Sequence, residues 1–129
     1  DSCEGFAMVE RYWFYMLTKD EKFTDAVIER YRELRQGLLS DENLLAYVDD
    51  TVAFLGDAVD RNWEVWGSTF DPTTYHGGKL DPDERNPRDY EEALDQLRDF
   101  IERRGAWLDA HIEDLRQFSH ESAVKMQNH

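Results

Sequence analysis

Cysteine is nearly absent from this chain of 129 residues: Cys3 stands alone. That excludes a disulfide within the chain and the thiolate patterns of structural zinc sites. Proline is almost as scarce, and Pro72, Pro82 and Pro87 all fall in one short stretch. With only seven glycines beside them, collagen-like, low-complexity and disordered readings fit poorly. Long apolar runs are missing too. The longest, residues 12–17, falls far short of the ~20 residues that cross a bilayer, and no signal-type region precedes it. Positive charge is in deficit: 15 Lys and Arg face 29 Asp and Glu, a formal net charge of -14. A field of that sign repels phosphate backbones and anionic lipid surfaces, which argues against nucleic acid as a partner.

What is present is a hydrophobic fraction of 40%, a third of it aromatic, which suffices for a single domain with one core. The chain opens at Asp1 rather than at an initiator Met, so a piece of a longer polypeptide is expected. Apolar residues recur at helical spacing in four segments, and no stretch alternates cleanly enough for a strand. The expectation is an all-α, four-helix bundle-like domain covering residues 1–129, with a long Pro/Gly-containing loop before the last helix.

The first expected helix, residues 6–17, is apolar nearly all round, with Glu10 and Arg11 as its charges. The second, residues 20–36, carries Phe23, Val27, Tyr31, Leu34 and Leu38 on one stripe and meets Gly37 as a left-handed stop. The third runs unbroken from Ser40 or Asp41 to Trp66. Leu44, Val48, Val52, Leu55, Val59, Trp63 and Trp66 form one stripe of it, and Tyr47, Phe54, Ala58 and Val65 form another beside it. So wide an apolar arc predicts a central position. Residues 67–88 read as loop, with a short helical turn at 81–84. The last helix opens at Asp89 with Glu92 placed for a capping box and reaches about Phe118, its core stripe running from Tyr90 through Leu94, Ile101 and Leu108 to Leu115. The tail beyond is polar.

Chemistry-bearing patterns are incomplete. Asp81, Asp83 and Glu92 match three ligand positions of an EF-hand loop, but Arg85 occupies a fourth and Asn86-Pro87 replace the required glycine. His120-Glu121 begins a zinc-helix pattern that Val124 ends. No phosphate-cradling glycine loop or esterase elbow occurs. Cys3 reads as an inert thiol and His111 as a semi-buried imidazole. No catalytic, cofactor-binding or metal residue is assigned. Two polar residues, Asn62 and Arg104, interrupt apolar stripes and are taken as structural, fixing helix register. Arg104 is expected to be partly buried and paired with a carboxylate. Tyr12, Trp13, Phe14 and Tyr15 are consecutive and cannot share one helix face, so some must point away from the chain's own core and form an interface.

In order, the landmarks are Trp13…Leu17-x-x-Asp20-x-x-Phe23, Arg30-Tyr31-x-x-Leu34-Arg35, Leu39-Ser40-x-Glu42, Ala58-x-x-Arg61-Asn62-x-x-x-Trp66, Tyr90-Glu91-Glu92 and Arg104-Gly105-x-Trp107-Leu108-Asp109. Together they resemble the C-terminal helical region of the spore coat protein H (CotH) kinase family. The resemblance implies an atypical protein kinase of the spore coat or cell surface, using ATP and a divalent metal. The family's nucleotide-binding residues and Asp-rich metal motif precede this helical part. Residues 1–6 are only faintly like the end of that motif and lack its second Asp. The expected role is thus a non-catalytic helical part that supports an upstream catalytic lobe, with self-association of the isolated fragment. The alternative is a free-standing helical protein–protein interaction module, and a third reading makes the acidic surface a binder of cations or polycations.

Overall fold

The computed structural model describes residues 3–7, 9, 12–70 and 86–120. Among them the regular elements are all helical: α1 (Tyr12–Leu17), α2 (Glu21–Arg35), α3 (Asp41–Leu55), α4 (Ala58–Trp66) with a 3-10 turn at Gly67–Phe70, α5 (Tyr90–His111), a further 3-10 turn at Ile112–Leu115, and α6 (Arg116–His120). The all-α expectation holds and the count of four helices does not. The start of the expected loop, residues 67–70, is a 3-10 turn, and the helical turn expected at 81–84 and the polar tail past His120 lie outside the described residues.

Two compact units are distinguishable, residues 1–40 with 103–129 and residues 41–102. The core of the first is Val9, Ile28, Ile112 and Leu115, against which Phe6, Tyr15, Val27, Tyr31 and Phe118 pack. α2 meets both the 3-10 turn at Ile112–Leu115 and α6 here. Its N-terminus is set locally, because the Asp20 carboxylate accepts the Lys22 N–H at 2.9 Å and satisfies one of the orphan donors. The buried face of α2 is Thr24 and Ile28, beside the predicted stripe rather than on it. Leu38, predicted on that stripe, is exposed. Thr24 can be buried because its hydroxyl donates to the Thr18 carbonyl at 3.2 Å.

Gly37 does not stop α2 in the left-handed region; among the described residues the positive-φ glycines are Gly5 and Gly56. The chain instead continues through turns in which the Gly37 and Leu39 N–H groups both donate to the Leu34 carbonyl. The first helix is also shorter than expected. The Val9 N–H closes a turn on the Phe6 carbonyl at 2.8 Å, and the described helix is Tyr12–Leu17.

In the second unit the predicted third helix is broken at Gly56, whose φ is +46°. The Gly56 N–H closes α3 on the Val52 carbonyl, and the Val59 N–H turns back to the Gly56 carbonyl. No described side chain of α3 or α4 is buried, so the predicted central position is not found. Tyr47, Phe54 and Val65 of the second stripe are exposed. α5 opens with the predicted capping box, shifted by one residue on its return bond. Asp89 Oδ1 accepts the Glu92 N–H at 2.8 Å, and Glu92 Oε2 accepts the Arg88 N–H at 2.7 Å. Arg98 then ties α5 to α3 through Asp49 at 2.9 Å. The predicted single helix from Asp89 to Phe118 tightens into 3-10 geometry after His111, which places Ile112 and Leu115 in the first unit's core.

Candidate functional site

The first unit gathers most of the side chains the sequence had singled out. α1 is YWFYML, six residues without a charge. Tyr12 is 73% exposed, Trp13 79% and Phe14 43%, and Met16 and Leu17 are exposed beside them. Tyr15 differs: it packs on the core and carries the Lys19 ammonium 4.2 Å over its ring. Lys19 Nζ in turn donates to the Phe118 carbonyl at 2.7 Å. One anchored aromatic therefore holds a short helix whose other aromatics face out. Tyr12 and Trp13 meet edge to face, 6.2 Å between centroids.

The two polar residues part company. Asn62 is exposed, on the wall of an uncharged groove of about 460 Å³ formed by Leu55, Val59, Trp63, Trp66 and Tyr90 in the second unit. Burial does not require a partner for it. Arg104 is half-buried, as expected, but its acceptors are not a carboxylate. Nη1 donates to the carbonyl oxygens of Cys3 at 3.1 Å and Gly5 at 2.8 Å. The N-terminal segment lies within reach of the guanidinium, and backbone carbonyls satisfy it there. The guanidinium also sits 5.1 Å over the Trp107 ring. Trp107 receives Phe6 edge-on at 5.0 Å and stacks on His111 at 4.6 Å.

A third cluster went unread in the sequence. Asp109 accepts the Tyr31 hydroxyl at 2.7 Å and is gripped by Arg35 Nε, 3.0 Å from each carboxylate oxygen. The same guanidinium donates to the Leu39 carbonyl at 2.6 Å. Burial pushes the Tyr31 hydroxyl up, and the hydrogen bond and charge of Asp109 push the same way, to about 12. Burial also raises the Asp109 carboxyl, but hydrogen bonds from Arg35 and Tyr31 and the Arg35 charge outweigh it and leave the group below its ordinary value. The available signal was the co-occurrence of Tyr31, Arg35 and Asp109 in two of the landmark strings; nothing in their spacing says they meet.

The polar groove of the first unit, about 530 Å³, contains Asp25, Glu29, Arg32, Glu33 and Arg116. Both arginines already hold carboxylates, Arg32 on Glu113 and Arg116 on Asp25 and Glu113. A phosphate arriving there would have to displace them. Among the described residues no group of three or more His, Cys, Asp or Glu is placed to hold a metal ion.

The sequence model of the CotH kinase protein family matches residues 2–108. The chain belongs to that family. No curated protein and no solved structure gives a significant match. ATP and a divalent metal, which the CotH resemblance implies, do not fit the described residues of the first unit's polar groove: Arg32 and Arg116 are engaged by carboxylates, no group of three or more metal-ligating side chains is formed, and no glycine-rich loop offers its N–H groups. The CotH landmark Arg104-Gly105-x-Trp107-Leu108-Asp109 instead has a mechanical reading. Arg104 and Trp107 hold the segment before α1, and Asp109 holds α2. No helix among the described residues is long and apolar enough to cross a membrane.

Proposed function

We propose that this CotH-family chain is the helical, non-catalytic part of an atypical protein kinase, and that it supports the ATP-dependent catalytic lobe by packing α1 against it. The observation that carries the reading is the division within α1: Tyr15 packs against the first unit's core while Tyr12, Trp13 and Phe14 are exposed on an uncharged helix. Aromatic surface of that kind suits the buried centre of an interface rather than water. The family match supports the choice of a kinase lobe as the occupant. The missing phosphate cradle supports placing catalysis elsewhere. A spore-coat or cell-surface setting follows from the family and is part of the same proposal, as is treating residues 1–129 as one functional piece.

The test has two arms. Titration calorimetry of the chain with Mg-ATP should show no heat of binding, and a saturable micromolar isotherm would contradict the non-catalytic assignment. Adding the chain to a separately produced CotH catalytic segment should raise its protein-phosphorylating activity, and Trp13→Ser should abolish the gain. The second reading, a free-standing interaction module, draws on the same exposed face. It is favoured if the catalytic segment is indifferent to the chain.

A further inference from the structure

The segment before α1 is held by its backbone. Arg104 Nη1 takes two carbonyls, of Cys3 and Gly5, and its guanidinium lies over Trp107. Trp107 in turn meets Phe6, the next residue along. Gly5 sits at φ +85°, which glycine adopts at little cost and other residues rarely do. A Cβ at Gly5 would meet nothing within 4 Å, so the requirement for glycine is conformational and not steric. The Cys3 side chain, whose own carbonyl is one of the two acceptors, is buried. In a chain of charge -14, a guanidinium that takes carbonyls in place of a carboxylate is holding main chain in a set position, whatever side chains that segment carries.

We propose that Arg104 is a positioning residue for α1. It latches the backbone of Cys3 and Gly5 to the end of α5, and so fixes how Tyr12, Trp13 and Phe14 are presented to a partner. The latch rests on the contacts above; its effect on partner binding rests also on the reading of α1 as the face that meets the catalytic lobe. Arg104 touches no substrate in this scheme. Two routes open the latch independently. Arg104→Ala removes the donor, and Gly5→Ala leaves the donor but disfavours the φ that offers both carbonyls. Arg104→Lys keeps the charge and an ammonium that can itself donate to two carbonyls, but loses the planar guanidinium that lies over the Trp107 ring, so it should restore the latch only in part.

Cys3 is the built-in reporter, because it is the chain's sole thiol and becomes reachable when the segment lifts. Maleimide labelling of the intact chain under native conditions should be slow. Loss of charge-assisted hydrogen bonds to two carbonyls predicts labelling faster by about tenfold or more in Arg104→Ala, with unchanged helical circular dichroism. Gly5→Ala should also accelerate labelling, and Arg104→Lys should fall between. The same variants should bind a separately produced CotH catalytic segment more weakly in the same order. Unchanged labelling in both Arg104→Ala and Gly5→Ala overturns the latch. Faster labelling with unaltered affinity for the catalytic segment overturns the positioning role. If the unmutated chain does not bind that segment while Arg104→Ala still labels faster, the proposed function fails and the latch stands. Should Arg104→Ala fail to fold, Gly5→Ala and Arg104→Lys decide the question.

Discussion

Replacing Gly56 by Ala discriminates between the helix read from periodicity and the broken one. In a continuous helix over residues 41–66, Gly56 would be an interior glycine, and Ala would stabilise it by about 1 kcal/mol through helix propensity. In the structure Gly56 has a φ of +46°. An L-residue there costs about 1–2 kcal/mol relative to the right-handed region, and the loss of unfolded-chain freedom returns only about 0.4–1 kcal/mol. Space is not the issue, since a Cβ at Gly56 would find the Ala53 carbonyl at 3.8 Å, an ordinary contact. The net expectation is destabilisation by about 1 kcal/mol, opposite in sign to the continuous helix. Urea unfolding followed by circular dichroism resolves a difference of about 2 kcal/mol between the two cases, provided the m-value is unchanged. A Gly56→Ala chain more stable than its parent would refute the break between α3 and α4.

Arg35→Ala should destabilise by about 2 kcal/mol, because the guanidinium is mostly buried and leaves the Leu39 carbonyl without its donor while Asp109 can partly rehydrate; a change under about 0.5 kcal/mol would mean the cluster is ornamental. Tyr31 gives a pH signature. Its folded pKa of about 12 lies above the ordinary 10.0, so the stabilisation is full below pH 10 and is lost as pH rises toward 12. Tyr31→Phe should flatten that alkaline decline, and an identical decline in the variant would contradict the assignment. At the acid end, the lowered Asp109 carboxyl contributes above its ordinary value and loses that contribution as pH falls through its lowered one, weakly because the side chain is 45% exposed. The isolated chain should also self-associate with increasing concentration through α1, and polar substitution of Trp13 should reduce this; sedimentation as a monomer at every accessible concentration would count against an adhesive α1 face.

The features legible in the sequence were the ones set within a few residues. Asp89 with Glu92 announced the start of α5 because an N-cap is a local hydrogen bond. The break at Gly56 was hidden because Leu55 and Val59 lie four apart across it, so the apolar stripes pass through in register. The core of the first unit was also misplaced by one position on α2, where Thr24 and Ile28 are buried; a threonine does not count toward a stripe until its acceptor, the Thr18 carbonyl, is known. For Arg104 the need for partners was visible and their identity was not. Its acceptors lie about a hundred residues away and are main-chain atoms, which carry no sequence signal. Separations of 78 and 74 residues likewise concealed the meeting of Tyr31 and Arg35 with Asp109.

The central claim, that α1 meets a catalytic lobe, is tested most directly by placing a photo-crosslinking amino acid at position 13 of a CotH kinase polypeptide that contains both this helical part and its catalytic lobe. Trp13 is 79% exposed in the chain as it stands, so the probe has free access to whatever covers it. The account predicts crosslinks from position 13 to residues of the ATP-binding lobe, and none after substitution moves the probe to the exposed position 54 of α3. Crosslinks from position 13 confined to residues 1–129, or to solvent alone, would contradict it.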